Sequence, residues 1–129
     1  MSVAQKGAFS APLVATTTTS AGAVLSIANP EGVPLIITNF VIDVTTDATG
    51  TVNDADFGVG AGATTTRDNL IDGCNIGTGT ITSASNDSTQ AGTAGRACQK
   101  WAADEFVVGD AKASTAGLVG RVYIEYIRA

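Results

Sequence analysis

Histidine is absent from this chain, and that absence limits its chemistry more than any residue present. Without an imidazole there is no Ser-His-Asp or Cys-His nucleophile pair, and the usual general base near neutral pH is missing. No Ser-x-x-Lys occurs that would point to a serine–lysine pair. The two cysteines, Cys74 and Cys98, fall short of the three or four N/S ligands that a zinc site needs. An enzyme is therefore not expected, and no residue stands out as catalytic, cofactor-binding or metal-ligating.

Charge is scarce as well. Charged residues make up 15% of the 129 positions and the net charge is −5. The seven basic residues, Lys6, Arg67, Arg96, Lys100, Lys112, Arg121 and Arg128, are spread along the chain rather than concentrated on one stretch. A phosphate backbone needs a concentrated basic face, so nucleic acid is not an expected partner. Nor does any run approach the ~20 apolar residues that span a bilayer, so a membrane is not expected either. Lys6 is followed by no apolar h-region, and the reading is synthesis and first folding in a cytoplasm. In that setting Cys74 and Cys98 are most simply free thiols, although a bridge across the loop between them stays open.

What remains is rich in Ala, Thr, Gly and Ser, with Val and Ile among the 44% of apolar residues. That mixture favours strands and tight turns over disorder. The length suits one domain. Residues 1–12 have no clean period and read either as a frayed terminus or as an extended N-terminal arm, with Val3, Phe9 and Leu13 as anchors on a neighbour; residues 13–129 read as the domain. Ala23, Leu25 and Ile27 mark a short strand, and Asn29-Pro30-Glu31-Gly32 a tight turn.

The segment from Pro34 to Thr45 is the strongest strand. Simple alternation puts Ile36, Thr38, Phe40, Ile42 and Val44 on one face and Leu35, Ile37, Val41, Asn39 and Asp43 on the other. A strand apolar on both faces is either central to a covered sheet or turned toward a partner. Leu35, Ile37 and Val41 are thus expected in an oligomer interface. Asp47-Ala48-Thr49-Gly50 is a second turn signal, predicting an antiparallel hairpin to a half-exposed strand through Ala55, Phe57 and Val59. Asp68 to Gly73 reads as one helical turn, Ile76 to Ile81 as a short strand, and Thr82 to Gly95 as a long loop.

Further strands are expected at Gln99–Trp101 and Glu105–Val108, with Gly109-Asp110 opening a turn. The last runs from Leu118 to Arg128, where Leu118, Val122, Ile124 and Tyr126 oppose Arg121, Tyr123 and Glu125. No helix of ten residues can be drawn. The fold class is therefore all-β, a single-domain antiparallel β-sandwich or jelly roll.

Several motifs have a bland and a sharp reading. Gly58-x-Gly60-x-x-Ala63 superficially matches a dinucleotide fingerprint, but no apolar helix or second βαβ half follows, so a Gly-rich loop is the better reading. Asp54, Asp56, Asp68 and Asp72 could supply oxygens to calcium, yet without EF-hand spacing they read as exposed carboxylates. Asn86-Asp87-Ser88 is a glycosylation sequon with no secretory route behind it. Trp101, the single tryptophan, is read as core filling, with an interface anchor as the alternative.

Asn29-Pro30-Glu31-Gly32-Val33-Pro34-Leu35-Ile36-Ile37, Asp68-Asn69-Leu70-Ile71-Asp72-Gly73 and Gln99-Lys100-Trp101-Ala102-Ala103 carry a resemblance, together with Ala116–Gly120 and Tyr123–Ile127. In these stretches the chain resembles Ala/Thr/Gly-rich capsid decoration (cement) or head-associated proteins of tailed bacteriophages. The resemblance implies a virion structural protein, commonly a homotrimer, made in the bacterial host cytoplasm. Such a protein sits on the capsid surface, binds the major capsid protein and stabilises capsomer contacts. A carbohydrate- or receptor-binding β-sandwich of a phage tail or fibre is the rival, and a tail or baseplate subunit a third reading.

Overall fold

The computed structural model describes residues 5–15, 22–50, 53–65, 67–77, 83–86 and 94–129. These form β1 (Lys6–Pro12), β2 (Gly22–Ala28), β3 (Leu35–Thr46), β4 (Asp54–Gly60), β5 (Ile71–Asn75), β6 (Ser83–Ser85), β7 (Gln99–Trp101), β8 (Phe106–Ala111) and β9 (Val119–Arg128). One sheet has the order β1-β9-β3-β6, with β7 also paired to β3. The other has the order β2-β8-β4-β5. Every named pairing is antiparallel, and the all-β sandwich expected from the sequence is what forms. β9 lies between β1 and β3, and β8 between β2 and β4, so strands from the two ends of the chain lie side by side in each sheet.

The core lies between the sheets. Phe40 of β3 and Phe57 of β4 meet across it with ring centroids 5.5 Å apart, and both are fully buried. Leu35, Ile37, Ile42, Ile71, Val107, Val122 and Ile124 surround them at 0–1% exposure. Each such side chain contributes about 1.5–3 kcal/mol on leaving water. At one end Trp101 is fully buried, its indole N–H donating to the Glu105 carbonyl at 2.9 Å. Phe9 packs beside it, 6.4 Å from Trp101 and 6.3 Å from Tyr126. Trp101 therefore fills the core.

The strand β3 departs from simple alternation. Its register on β9 slips between Ile37 and Asn39, leaving Thr38 as an extra residue. A bulge of this kind swaps which parity faces inward. Leu35 and Ile37 are buried before it, Phe40, Ile42 and Val44 after it, and all five face the same core. The two apolar faces expected of this strand are thus one face, switched in phase. A second slip lies between Val44 and Thr46. At both slips the threonine hydroxyl donates to a β9 carbonyl, Thr38 to Glu125 at 3.3 Å and Thr45 to Val119 at 3.1 Å.

Other expectations are corrected. β3 and β4 are not a hairpin, because Asp47–Gly50 carries the chain from one sheet to the other. Nor is β4 half exposed, since the segment before β5 lies across its outer side and β4 is central in its sheet. Residues 71–73, expected in a helical turn, belong to β5, and Gly109–Asp110 continue β8 rather than turn. Within the expected long loop, Ser83–Ser85 pair with β3; residues 78–82 and 87–93 lie outside the described residues. β9 matches its reading, paired on both sides with its apolar set buried.

Asparagines hold the connections. Asn29 Oδ1 accepts from the N–H groups of Glu31 and Gly32, both at 3.0 Å, which closes the β2–β3 turn around Gly32 at φ 65°. Arg128 ties that turn to the end of β9 by donating to Glu31, with Nε at 2.7 Å. The Tyr126 hydroxyl also reaches the Glu31 carboxylate, and its hydrogen bond, followed by the hydrogen bond and charge of Arg128, holds this carboxyl below its usual value.

A carboxylate lowered on folding adds stability that is complete above its ordinary 4.5 and lost as pH falls through the folded value. Thermal melts of wild type and Glu31→Gln should therefore converge as pH drops from neutral to about 3. A melting-temperature gap that stays constant with pH would show that this ion pair does not act in the folded state.

Candidate contact surface

The outer faces of the two sheets differ in what covers them. Over the β4 side of the second sheet, Asn69 clamps Val59, accepting from its N–H at 2.7 Å and donating to its carbonyl at 3.2 Å. A Cβ at Gly58 would sit 2.6 Å from Asn69 Oδ1, and one at Gly60 2.9 Å from Arg67. These glycines let the following segment lie flat on the strand, which is the role of the Gly58-x-Gly60 motif. The other end of that face is acidic: Asp56 stands directly opposite Asp110, two residues from Asp54. Lys112 Nζ lies 3.2 Å from Asp56 Oδ2, and this contact with Asp56 is the main cause that raises the lysine above its usual value.

Among the described residues, no segment is bonded over the outer face of the first sheet as Asn69 is over the second. The register places four rows on it: Lys6, Ile127, Ile36 and Lys100; Ala8, Glu125 and Asn39; Ser10, Tyr123, Val41 and Ser85; Pro12, Arg121, Asp43 and Ser83. Tyr123 is 44% exposed and Val119, further along β9, is 56% exposed. Depressions flank Tyr123 on both sides, one of about 330 Å³ toward Ala8 and Ser10 and one of about 390 Å³ toward Pro12 and Val119. Arg121 is steadied by donating to the Ser10 hydroxyl at 3.0 Å.

Of the residues expected at an interface, the structure brings one to this face. Val41 lies on it beside Tyr123, half-buried. Leu35 and Ile37 are 1% and 0% exposed within the subunit's own core, so the bulge removes them from any surface. Leu13 is buried too, its N–H bonded to the Gly120 carbonyl, and Phe9 is half-buried against Trp101. Residues 6–12 of the expected arm are thus the edge strand of the domain itself, while Val3 lies outside the described residues. Tyr123 and Val119 are not among the residues the sequence singled out, although the exposed run Arg121, Tyr123, Glu125 is legible in the alternation of β9.

The remaining motifs resolve as local structure. Asn86, of the sequon, is 2% exposed, and its amide is fully engaged: Oδ1 accepts from Phe40 N–H at 2.8 Å and Nδ2 donates to the Arg96 and Ala97 carbonyls. That leaves no free amide to modify. Among the described residues no three His, Cys, Asp or Glu side chains gather closely enough to hold a metal ion, and no helix is long and apolar enough to cross a membrane.

No protein-family profile matches the chain, and no curated protein matches it. A solved structure does. A chain from the acidic stable capsid structure of Helicobacter pylori bacteriophage KHP30 is similar with a TM-score of 0.56. The likeness covers 97% of this chain and 93% of that one at 9% sequence identity, so what is shared is the fold.

Both cysteines are free, Cys74 buried and Cys98 exposed. Burial pushes the Cys74 thiol up to about 12, with Asp54 and Asp56 adding to the effect. A thiol that stays protonated is inert toward disulfide reagents. Native protein at pH 8 should therefore titrate as one thiol and unfolded protein as two; Cys98→Ser should abolish the native reaction. Two fast equivalents in the native state would contradict the placement of Cys74.

Proposed function

We propose that this chain is a non-enzymatic virion structural protein, a capsid decoration or cement protein that binds the outer shell and stabilises capsomer contacts. The observation that carries the reading is the likeness of nearly the whole chain to a chain of a phage capsid. The resemblance of its turn and strand motifs to phage decoration proteins points the same way, and implies a homo-oligomer, commonly a trimer, made in the host cytoplasm. The major capsid protein is the partner. The outer face of the first sheet suits the reading, with Tyr123 exposed between Arg121 and Glu125 among the described residues. A subunit repeated over a shell adds many weak contacts to large avidity, so a modest face around one exposed tyrosine is sufficient. Val41 stays in this reading as a contact residue; Leu35 and Ile37 leave it.

Mass spectrometry of virions separated into heads and tails tests the reading directly. The protein should fractionate with heads, in a copy number comparable with the capsomer contacts. Recovery with tails would contradict decoration and favour the carbohydrate- or receptor-binding module instead.

A further inference from the structure

We infer that the outer face of the first sheet is an isologous contact, in which two copies of this chain pack face to face about a two-fold axis at Tyr123. The inference stands apart from the virion reading and would hold for the free protein. Its basis is the order of side chains along β9. Arg121, Tyr123 and Glu125 all point outward, and the two charged residues lie about 7 Å on either side of the tyrosine. An in-plane two-fold at Tyr123, perpendicular to the strand, inverts positions along the strand and keeps positions across it. Each Arg121 then lies over Glu125 of the second copy, and each Glu125 over its Arg121.

The neighbouring columns suit the same operation. On β3, Asp43 and Asn39 flank Val41 as Arg121 and Glu125 flank Tyr123, so the acid meets an amide rather than a second acid. On β1, Pro12 and Ala8 flank Ser10, and no charge meets its like. The two tyrosines meet at the axis. A ring displaced from it enters the depression of about 390 Å³ beside Pro12 and Val119, which gives the offset arrangement that aromatic pairs prefer.

Size and closure favour a second copy as occupant. Four strands at ~4.8 Å spacing, along a β9 of ten residues, present a projected face of roughly 600 Å². A standard interface takes ~800 Å² of accessible surface per partner, so the contact is modest but sufficient for a weak dimer. The outer side of the other sheet offers less free surface, because Asn69 and Arg67 lie over Gly58 and Gly60, and Asp56 is buried beside Lys112. Stacking the first sheet's face on that side would not close, since the two lie on opposite sides of the sandwich and would propagate a filament. Should the chain also form trimers, this two-fold joins them into even-numbered assemblies.

Sedimentation velocity into the high micromolar range, with a charge exchange, tests the contact. Wild type should show an even-numbered species, a dimer or a hexamer. Arg121→Glu and Glu125→Arg should each weaken that association at least about tenfold, because each places like charges in register twice. The double variant R121E/E125R should restore it. Circular dichroism should be unchanged throughout, as both side chains are exposed. A Tyr123→Cys substitution in a Cys98→Ser background should cross-link pairs of chains under mild oxidation, since a residue on a two-fold axis meets itself. An assembly that halves on the single swaps and recovers in the double supports the inference, whatever heads and tails show. A wild type without even-numbered species, single swaps without effect, or a double variant no better than the singles would overturn it.

Discussion

Thr38 decides what the rest of the molecule can be. By inserting one residue into β3 opposite β9, it moves the apolar positions from odd to even part-way along the longest strand. Both halves of that strand then bury against a single core: Leu35 and Ile37 near Trp101, Phe40 against Phe57, Ile42 and Val44 beyond. Without the slip, one half would turn its apolar residues to solvent and the sandwich would lose part of its filling. The hydroxyl of Thr38 donating to the Glu125 carbonyl holds the slip in place. A second threonine does the same near the far end, so the two irregularities of the β3–β9 ladder share one chemistry.

That same slip explains what could and could not be read from the sequence. β9 was legible because its alternation is unbroken from Leu118 to Tyr126, and a strictly alternating strand has one buried face. β3 was legible as a strand but not in its facing, because a bulge leaves no mark in residue type beyond a threonine among many. The expected β3–β4 hairpin failed for a related reason. Asp47–Gly50 has turn chemistry, but turn residues do not specify whether the next strand joins the same sheet or the opposite one. The burial of β4 depended on a segment more than five residues further on, with Asn69 and Arg67 lying over its glycines. Local pattern carries no information on such a return.

Removing Leu35 and Ile37 from the surface sharpens the functional picture rather than weakening it. The sandwich is left with two unlike outer faces. One is occupied by its own chain at one end and by an aspartate group with Lys112 at the other. The second carries serines and charged residues around a half-buried Val41 and an exposed Tyr123, which stands between Arg121 and Glu125.

The central claim, that a single-residue slip turns both halves of β3 inward, meets its most direct measurement in one pair of lysine substitutions. Ile37 and Val41 share a face in a regular strand, but the bulge separates them, one into the core and one outward. Urea unfolding of Ile37→Lys should show loss of the cooperative transition or a drop of several kcal/mol, roughly the 3–5 kcal/mol associated with an uncompensated buried charge. Val41→Lys should stay within about 1 kcal/mol of wild type, because a lysine at this half-buried, outward-facing position can carry its ammonium into solvent. Equal tolerance, or equal damage, at the two positions would contradict the account.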